Sequence, residues 1–151
     1  MAAGATLNIT PVNDAPTTSA VTLAPIAEDS GVRLITQAEL LANATDVDGP
    51  ALTAINLTIS SGAGTLVDNG NGTWTYTPAL NDNSQVSFSY QVTHGNGGSV
   101  AGSASLDITP ANDAPTTSAV TLSPIAEDSG SRLITQAELI ALAAQAETNA
   151  R

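Results

Sequence analysis

The stretch VDNGNGTWTYT, from Val67 to Thr77, contains a strand, a tight turn and a second strand. Asn69, Gly70, Asn71 and Gly72 are residue types that accept the positive φ of a two-stranded turn, and Trp74 and Tyr76 then fall on one face of the outgoing strand. THGNGGS, from Thr93 to Ser99, repeats the device one hairpin later. Working outward, apolar and polar residues alternate over short runs that predict strands at Val21 to Ala24, Arg33 to Ile35, Leu52 to Ile59, Gly64 to Val67, Thr73 to Thr77, Val86 to Thr93 and Ser99 to Ile108. In LTAINLTI the alternation assigns Ile55, Leu57 and Ile59 to the buried face. Phe88 and Tyr90 share a face of their strand, and with Trp74 and Tyr76 they are expected to fill the core of a chain that is only 3% aromatic. About seven short strands with turns at this spacing indicate an all-β protein, an antiparallel β-sandwich.

One helical element interrupts the strands. In TQAELLAN, Thr36 stands three residues before Glu39, the spacing at which each side chain satisfies a free N–H at a helix start. A short helical turn there delivers the chain to DVDG, Asp46 to Gly49.

The chain also repeats itself. Thr10 to Leu40 and Thr109 to Leu139 differ only at Val12/Ala111, Ala24/Ser123 and Val32/Ser131, and ATLNITP before the first copy echoes ASLDITP before the second. A period of about 100 residues suits an array of independently folded domains, because the units of a solenoid are shorter and cannot bury their own faces. The expected division is residues 1–12 as the closing strand of a preceding repeat, 13–112 as a full repeat, and 113–151 as the start of the next. The second copy leaves the pattern after Leu139: LIALAAQAETNA stands where the first copy has LLANATDVDG, and with Thr135 and Glu138 as a capping pair residues 135 to about 146 are expected to be helical or frayed.

There are three Lys and Arg residues against fourteen Asp and Glu, for a net charge of −11. Such a surface repels phosphate backbones and anionic lipid, so nucleic-acid binding and membrane insertion are not expected, whereas cations are attracted. Cysteine is absent, so disulfides cannot staple the fold and a metal is the alternative. Catalysis is not expected either. With His94 as the lone histidine and no Lys or Cys, no nucleophile–base pair follows a known elbow pattern, and the adjacent Glu28 and Asp29 point to opposite faces of a strand.

Asp46 and Asp48, two apart before a glycine, can aim hard oxygen ligands at one point if the loop curls. Calcium asks for six to eight oxygens at about 2.3–2.6 Å, so further ligands are needed. Asn13 and Asp14, in the proline-bracketed linker TPVNDAP, can supply them. The competing reading makes Asn-Asp-Ala-Pro an ordinary turn and Asp-Val-Asp-Gly a solvated loop with an Asx-turn. Clustered acids in a chain with only 11% charged residues favour a cation, because they would otherwise repel.

NDAP, AEDSG, LLANATDVDG, NGTWTYTP, VSFSYQVTHGNGG and LDITPANDAP, in this order, resemble the cadherin-like tandem repeat of large bacterial RTX-type surface adhesins. The resemblance implies a Greek-key sandwich of cadherin/immunoglobulin type. It also implies an extender module whose partners are the adjacent repeats of the same chain, joined through calcium, in a monomeric protein at the extracellular bacterial cell surface after type I secretion. Residue by residue, Asn13 and Asp14 resemble the Asn-Asp linker of cadherins, and Asp46 with Asp48 resembles their Asp-x-Asp motif. Glu28 resembles the early-strand Glu, which points to the opposite end, where Asn112 and Asp113, helped by Asp82, would complete a second junction. Pro11 and Pro110 stand where cadherin linkers begin with another Asp, which implies fewer ions per junction. His94 stands where many relatives have Asp. That ligand is then lost, or its place is taken by water or Asn96, and His94 itself is read as a solvent-exposed turn residue. The alternative function is a carbohydrate-binding module of the same adhesin, with exposed aromatics stacking on sugar rings.

Overall fold

The computed structural model describes residues 3–49, 51–114, 116–117, 121–140 and 143–144. The chain divides into two compact units, Met1–Thr109 and Pro110–Arg151.

In the first unit the strands are β1 (Val21–Ala27), β2 (Arg33–Thr36), β3 (Thr53–Ser61), β4 (Thr65–Asp68), β5 (Thr73–Thr77), β6 (Val86–Thr93) and β7 (Ser99–Thr109), with helix α1 (Gln37–Leu40) after β2. They form two sheets, β1-β7-β6-β3 and β2-β5-β4. This is the predicted cadherin/immunoglobulin-like β-sandwich. Every pairing is antiparallel except β1 with β7, which run parallel with Leu23 opposite Leu106. That exception follows from β1 entering beside the last strand of the unit, a pairing no local periodicity could announce.

The core lies between the sheets. All four aromatic side chains are in it: Trp74, Tyr76, Phe88 and Tyr90 are buried alongside Ile35, Leu40, Val86, Val92 and Leu106. Tyr76 on β5 meets Phe88 on β6 edge to face, with ring centroids 5.4 Å apart and planes at 88°, so one aromatic contact joins the two sheets. Burying two tyrosines requires partners for their hydroxyls. Tyr76 donates to the Ala63 carbonyl at 2.6 Å and Tyr90 to the Leu40 carbonyl at 2.7 Å.

Helix α1 begins as the sequence predicts. Thr36 is the N-cap, its hydroxyl accepts from the Glu39 N–H, and the Glu39 carboxylate accepts from the Thr36 N–H at 2.9 Å. Burial pushes the Glu39 carboxyl up, but hydrogen bonds from Arg33 and from the Thr36 side chain and backbone outweigh it and leave the group below its ordinary value. The next residue, Gln37, uses its side-chain amide as a peptide would: Nε2 donates to the Ala54 carbonyl and Oε1 accepts from the Ala54 N–H, both at 2.7 Å.

Strand β3 departs from the expected alternation. Asn56 is left-handed at φ 56°, and the register slips between Ile55 and Thr58, so one extra residue is accommodated. The bulge puts Ala54 and Leu57 in the core, while Ile55 and Ile59 are only partly covered.

Residues 3–16 form no strand, and Leu7 and Ile9 are exposed, so the expected closing strand at the start of the chain is not seen. Their counterparts Leu106 and Ile108 are buried because β7 lies between β1 and β6.

In the second unit, β8 (Thr116–Thr117) pairs antiparallel with β9 (Ala143–Ala144), and α2 spans Gln136–Ile140. Thr135 caps α2, with its N–H donating to Glu138 Oε2 at 2.9 Å. Of the stretch expected to be helical or frayed to about 146, the helix covers Gln136–Ile140. Ala143 and Ala144 spend their backbone groups on β8 instead, and 141, 142, 145 and 146 lie outside the described residues.

Candidate metal-binding end of the sandwich

Three segments converge at one end of the first unit: the linker at Asn13 to Thr17, the Asp46 to Gly49 loop, and the turn between β6 and β7. The linker lies along the loop through a two-bond bridge, Thr17 N–H to Thr45 carbonyl at 2.8 Å and Thr45 N–H to Thr17 carbonyl at 2.9 Å. Asn43 Nδ2 adds a donor to the Ala20 carbonyl at 2.8 Å.

The Asp-x-Asp loop curls as its spacing requires. Asp46 Oδ1 accepts from the Asp48 N–H at 2.8 Å, an Asx-turn, and Gly49 follows with φ 75°. Asp48 Oδ2 in turn accepts from the Asp14 N–H at 2.6 Å. Asn13 Nδ2 donates to the Asp14 carbonyl at 3.2 Å. The structure thus brings Asn13, Asp14, Asp46 and Asp48 to one end. Both of the opposed readings, Asx-turn and clustered acids, describe features present in the same loop.

The electrostatics of this end are unbalanced. The Asp46 side chain is 2% exposed, and its Oδ2 is buried with no hydrogen-bond donor. Among the described residues, Arg33 is paired with Glu39 and Arg132 with Glu138, so neither is spent on these three aspartates. Oxygens from Asp14, Asp46, Asp48 and Asn13 are the hard donors calcium takes, and a buried carboxylate oxygen without a donor is where positive charge is wanted. Among the described residues, no three acidic or His side chains already enclose an ion position. Completing a coordination shell would require Asp14 and Asp48, both exposed, to turn their carboxylates inward.

His94 corrects the sequence reading. It was expected in solvent; its side chain is fully buried, with Nε2 at 3.7 Å from Asp46 Oδ2 and 3.1 Å from the Asp14 carbonyl oxygen. Gly95 and Gly97, at φ 80° and 102°, make the turn that folds the ring back under the linker. The Asn96 N–H donates to Nδ1 at 3.2 Å, so that backbone group is spent on the ring. No periodicity in THGNGGS tells which way the histidine ring points, and sequence reasoning could not have found this contact.

At the opposite end of the sandwich, Glu28 follows β1. Its side chain is buried, and its N–H donates to the Thr109 carbonyl at 2.8 Å. Asp82 lies in the β5–β6 connection at this same end, where the Ser84 side chain and backbone hold its carboxyl below the usual range. Asn112 and Asp113 belong to the second unit, and Asn112 Nδ2 donates to the Asp113 carbonyl at 3.2 Å, the same local contact that Asn13 makes with Asp14.

The sequence profile of the family described as Cadherin-like domain matches residues 12–109. The chain belongs to the cadherin-like domain family. No curated protein matches it. Among solved structures, this cadherin-like chain is similar to an endo-fucoidan hydrolase, MfFcnA4 from glycoside hydrolase family 107, at 18% identity and a TM-score of 0.42, over 68% of the chain and 15% of the hydrolase. A second hydrolase of that family, MfFcnA9, aligns at 21% identity and a TM-score of 0.40, over 66% and 17% of the two chains. The tandem Ig repeats of Dlar align at 15% identity and a TM-score of 0.29, over 69% and 54%. The cadherin-like chain therefore spans about a sixth of the hydrolases it resembles. Its four aromatics are all in the core, so none is free to stack on a sugar ring. No helix among the described residues is long and apolar enough to cross a membrane.

Proposed function

We propose that the chain is a non-enzymatic extender module of a bacterial cell-surface adhesin of RTX type, exported by type I secretion, in which calcium bound at junctions between successive repeats stiffens the array and projects a distal binding domain. The observation that carries this reading is Asp46 Oδ2, a buried, donorless carboxylate oxygen at the place where the linker, the Asp-x-Asp loop and the β6–β7 turn meet.

The residues divide the work. Asp46 and Asp48 are fixed to the sandwich, whereas Asn13 and Asp14 belong to the linker, so an ion that turned Asp14 and Asp48 inward would draw oxygens from both sides. When bound, calcium supplies positive charge and six to eight coordination positions for oxygen. In its absence the three aspartates repel one another across a short distance. With their charge neutralised, bending the linker would pull Asp14 and Asn13 away from shared coordination. Glu28 and Asp82 would offer oxygens at the opposite end of the sandwich, and the assembly would grow through adjacent repeats of one monomeric chain.

Calcium titration by calorimetry, paired with thermal unfolding in calcium and in chelator, tests this reading. A ligand that binds only the folded state stabilises it by about 2.7 kcal/mol at a hundredfold excess over Kd. A higher melting temperature in calcium is the expected result. Identical melting in calcium and chelator would remove the metal from the proposal.

A further inference from the structure

His94 is better buried than any role as a turn residue requires, and the hydrogen bonds around it fix its chemistry. The Asn96 N–H donates to Nδ1 at 3.2 Å, so Nδ1 carries a lone pair and the ring proton sits on Nε2. Around Nε2 lie the Asp14 carbonyl at 3.1 Å, Asn13 Nδ2 at 3.4 Å and Asp46 Oδ2 at 3.7 Å, and the nearest of them, an acceptor, takes the Nε2–H.

The other side of the same linker residue is also held. The Asp14 N–H donates to Asp48 Oδ2 at 2.6 Å. Two loops from different parts of the sandwich therefore grip the two backbone groups of Asp14, the Asp-x-Asp loop taking the N–H and the β6–β7 turn taking the carbonyl. Gly98 makes room for the grip. A Cβ there would stand 2.6 Å from His94 Nε2, 3.0 Å from the Ala15 Cα and 3.3 Å from the Asp14 carbonyl oxygen.

We infer that His94 is a metal-free pin for the linker: its Nε2–H holds the Asp14 carbonyl against the sandwich, so this end of the module stays docked without calcium. The ion then reinforces an existing clamp. A backbone carbonyl that a cation could otherwise recruit is already engaged by a donor, and the orphan Asp46 Oδ2 remains for the metal. His94 is a positioning residue here. The pin stands on its own contacts, whereas the statement about calcium rests on the extender reading.

Amide exchange measured by NMR on the 151-residue chain in excess chelator tests the pin. The reporters are the Asp14 and Thr17 amides, both hydrogen-bonded across the linker, with Phe88 and Val92 in the core as controls. Wild-type reporters are expected to be protected. His94→Ala lowers that protection by about tenfold or more and leaves the core controls unchanged. His94→Gln, which keeps a side-chain N–H donor, restores part of it. Gly98→Ala reproduces the loss with the imidazole still present, and it decides the matter if His94→Ala fails to fold. Equal reporter exchange in wild type and Gly98→Ala, or no difference between the Gln and Ala substitutions, overturns the inference. Adding calcium to the same samples separates the two claims: a pin that holds in chelator with no response to calcium sinks the extender metal and spares the pin.

Discussion

Ile35 and Ile134 occupy the same place in the repeated sequence and opposite places with respect to solvent: Ile35 is fully buried and Ile134 is 48% exposed. Leu40 and Leu139 differ in the same way. The local sequence is shared, so the difference is tertiary. In the first unit β2 pairs with β5 and packs against the strands of the other sheet, whereas none of residues 110–114 and 121–140 is buried. A capped helical turn forms in both copies, because a capping box is satisfied by residues three apart. A strand needs a partner, and residues 132–135, the counterpart of β2, form no strand.

Amide exchange should follow that division. Slow protons are expected in Thr53 to Thr109, with fast exchange over 121–140 differing by orders of magnitude, because local opening energies scale with buried contacts and paired backbone. Comparable protection over 121–140 would show that the second copy finds a partner not present in its own unit.

Gln37 gives a sharper test of how the helical turn is tied down. Its amide exchanges two hydrogen bonds with the Ala54 backbone, and Ala54 is buried. Gln37→Ala leaves a buried N–H and carbonyl without their partners, which costs about 1–3 kcal/mol. The denaturant midpoint should fall accordingly. Gln37→Glu should also destabilise, since it keeps an acceptor for the Ala54 N–H but removes the donor to the Ala54 carbonyl.

Glu39 predicts a pH dependence with a definite sign. Its carboxyl is lowered from 4.5, because the Arg33 and Thr36 hydrogen bonds outweigh the desolvation that raises it. The folded state therefore releases this proton more readily than the unfolded chain. Its contribution to stability is fully present above pH 4.5 and is lost as pH falls through the lower folded value. Glu39→Gln keeps the capping geometry and removes the charge. The stability gap between wild type and Glu39→Gln should close as the pH is lowered from about 6 to about 3. A gap that stays constant over that range would mean the charge contributes nothing.

Much of this was legible in the sequence, and the reason is locality. Period-two runs marked all seven strands of the first unit, the Asn-Gly turns marked two hairpins, and Thr36 with Glu39 marked the cap. The scarcity of large side chains put Trp74, Tyr76, Phe88 and Tyr90 in the core. What stayed hidden depends on partners far away in sequence. The bulge at Asn56 is set by the register against β6, the parallel β1–β7 pairing is set by topology, and the direction of the His94 ring is set by a linker about 80 residues earlier. At the candidate site, the spacing in Asp-x-Asp announces the Asp46–Asp48 turn and the linker string its neighbour Asp14, whereas the orphan state of Asp46 Oδ2 is visible only with His94 placed beside it.

Asp46 carries the most decisive prediction, because its sign reverses with calcium. In chelator, Asp46 Oδ2 is a buried carboxylate oxygen with no donor. Asp46→Asn keeps an oxygen for the Asp48 N–H and removes the charge, so the melting temperature in chelator should rise or hold. Asp48→Asn likewise keeps an acceptor for the Asp14 N–H. In calcium at a hundredfold excess over Kd the same substitutions should forfeit most of the roughly 2.7 kcal/mol that binding contributes, so the melting temperature falls below that of wild type. The double substitution Asp46→Asn with Asp48→Asn should abolish the calcium response while the sandwich still folds, since its core is apolar and these residues lie at its tip. Equal destabilisation in calcium and in chelator would mean that the two acids hold the loop together by themselves, through the Asx-turn and the Asp14 contact, and that no cation is needed to explain them.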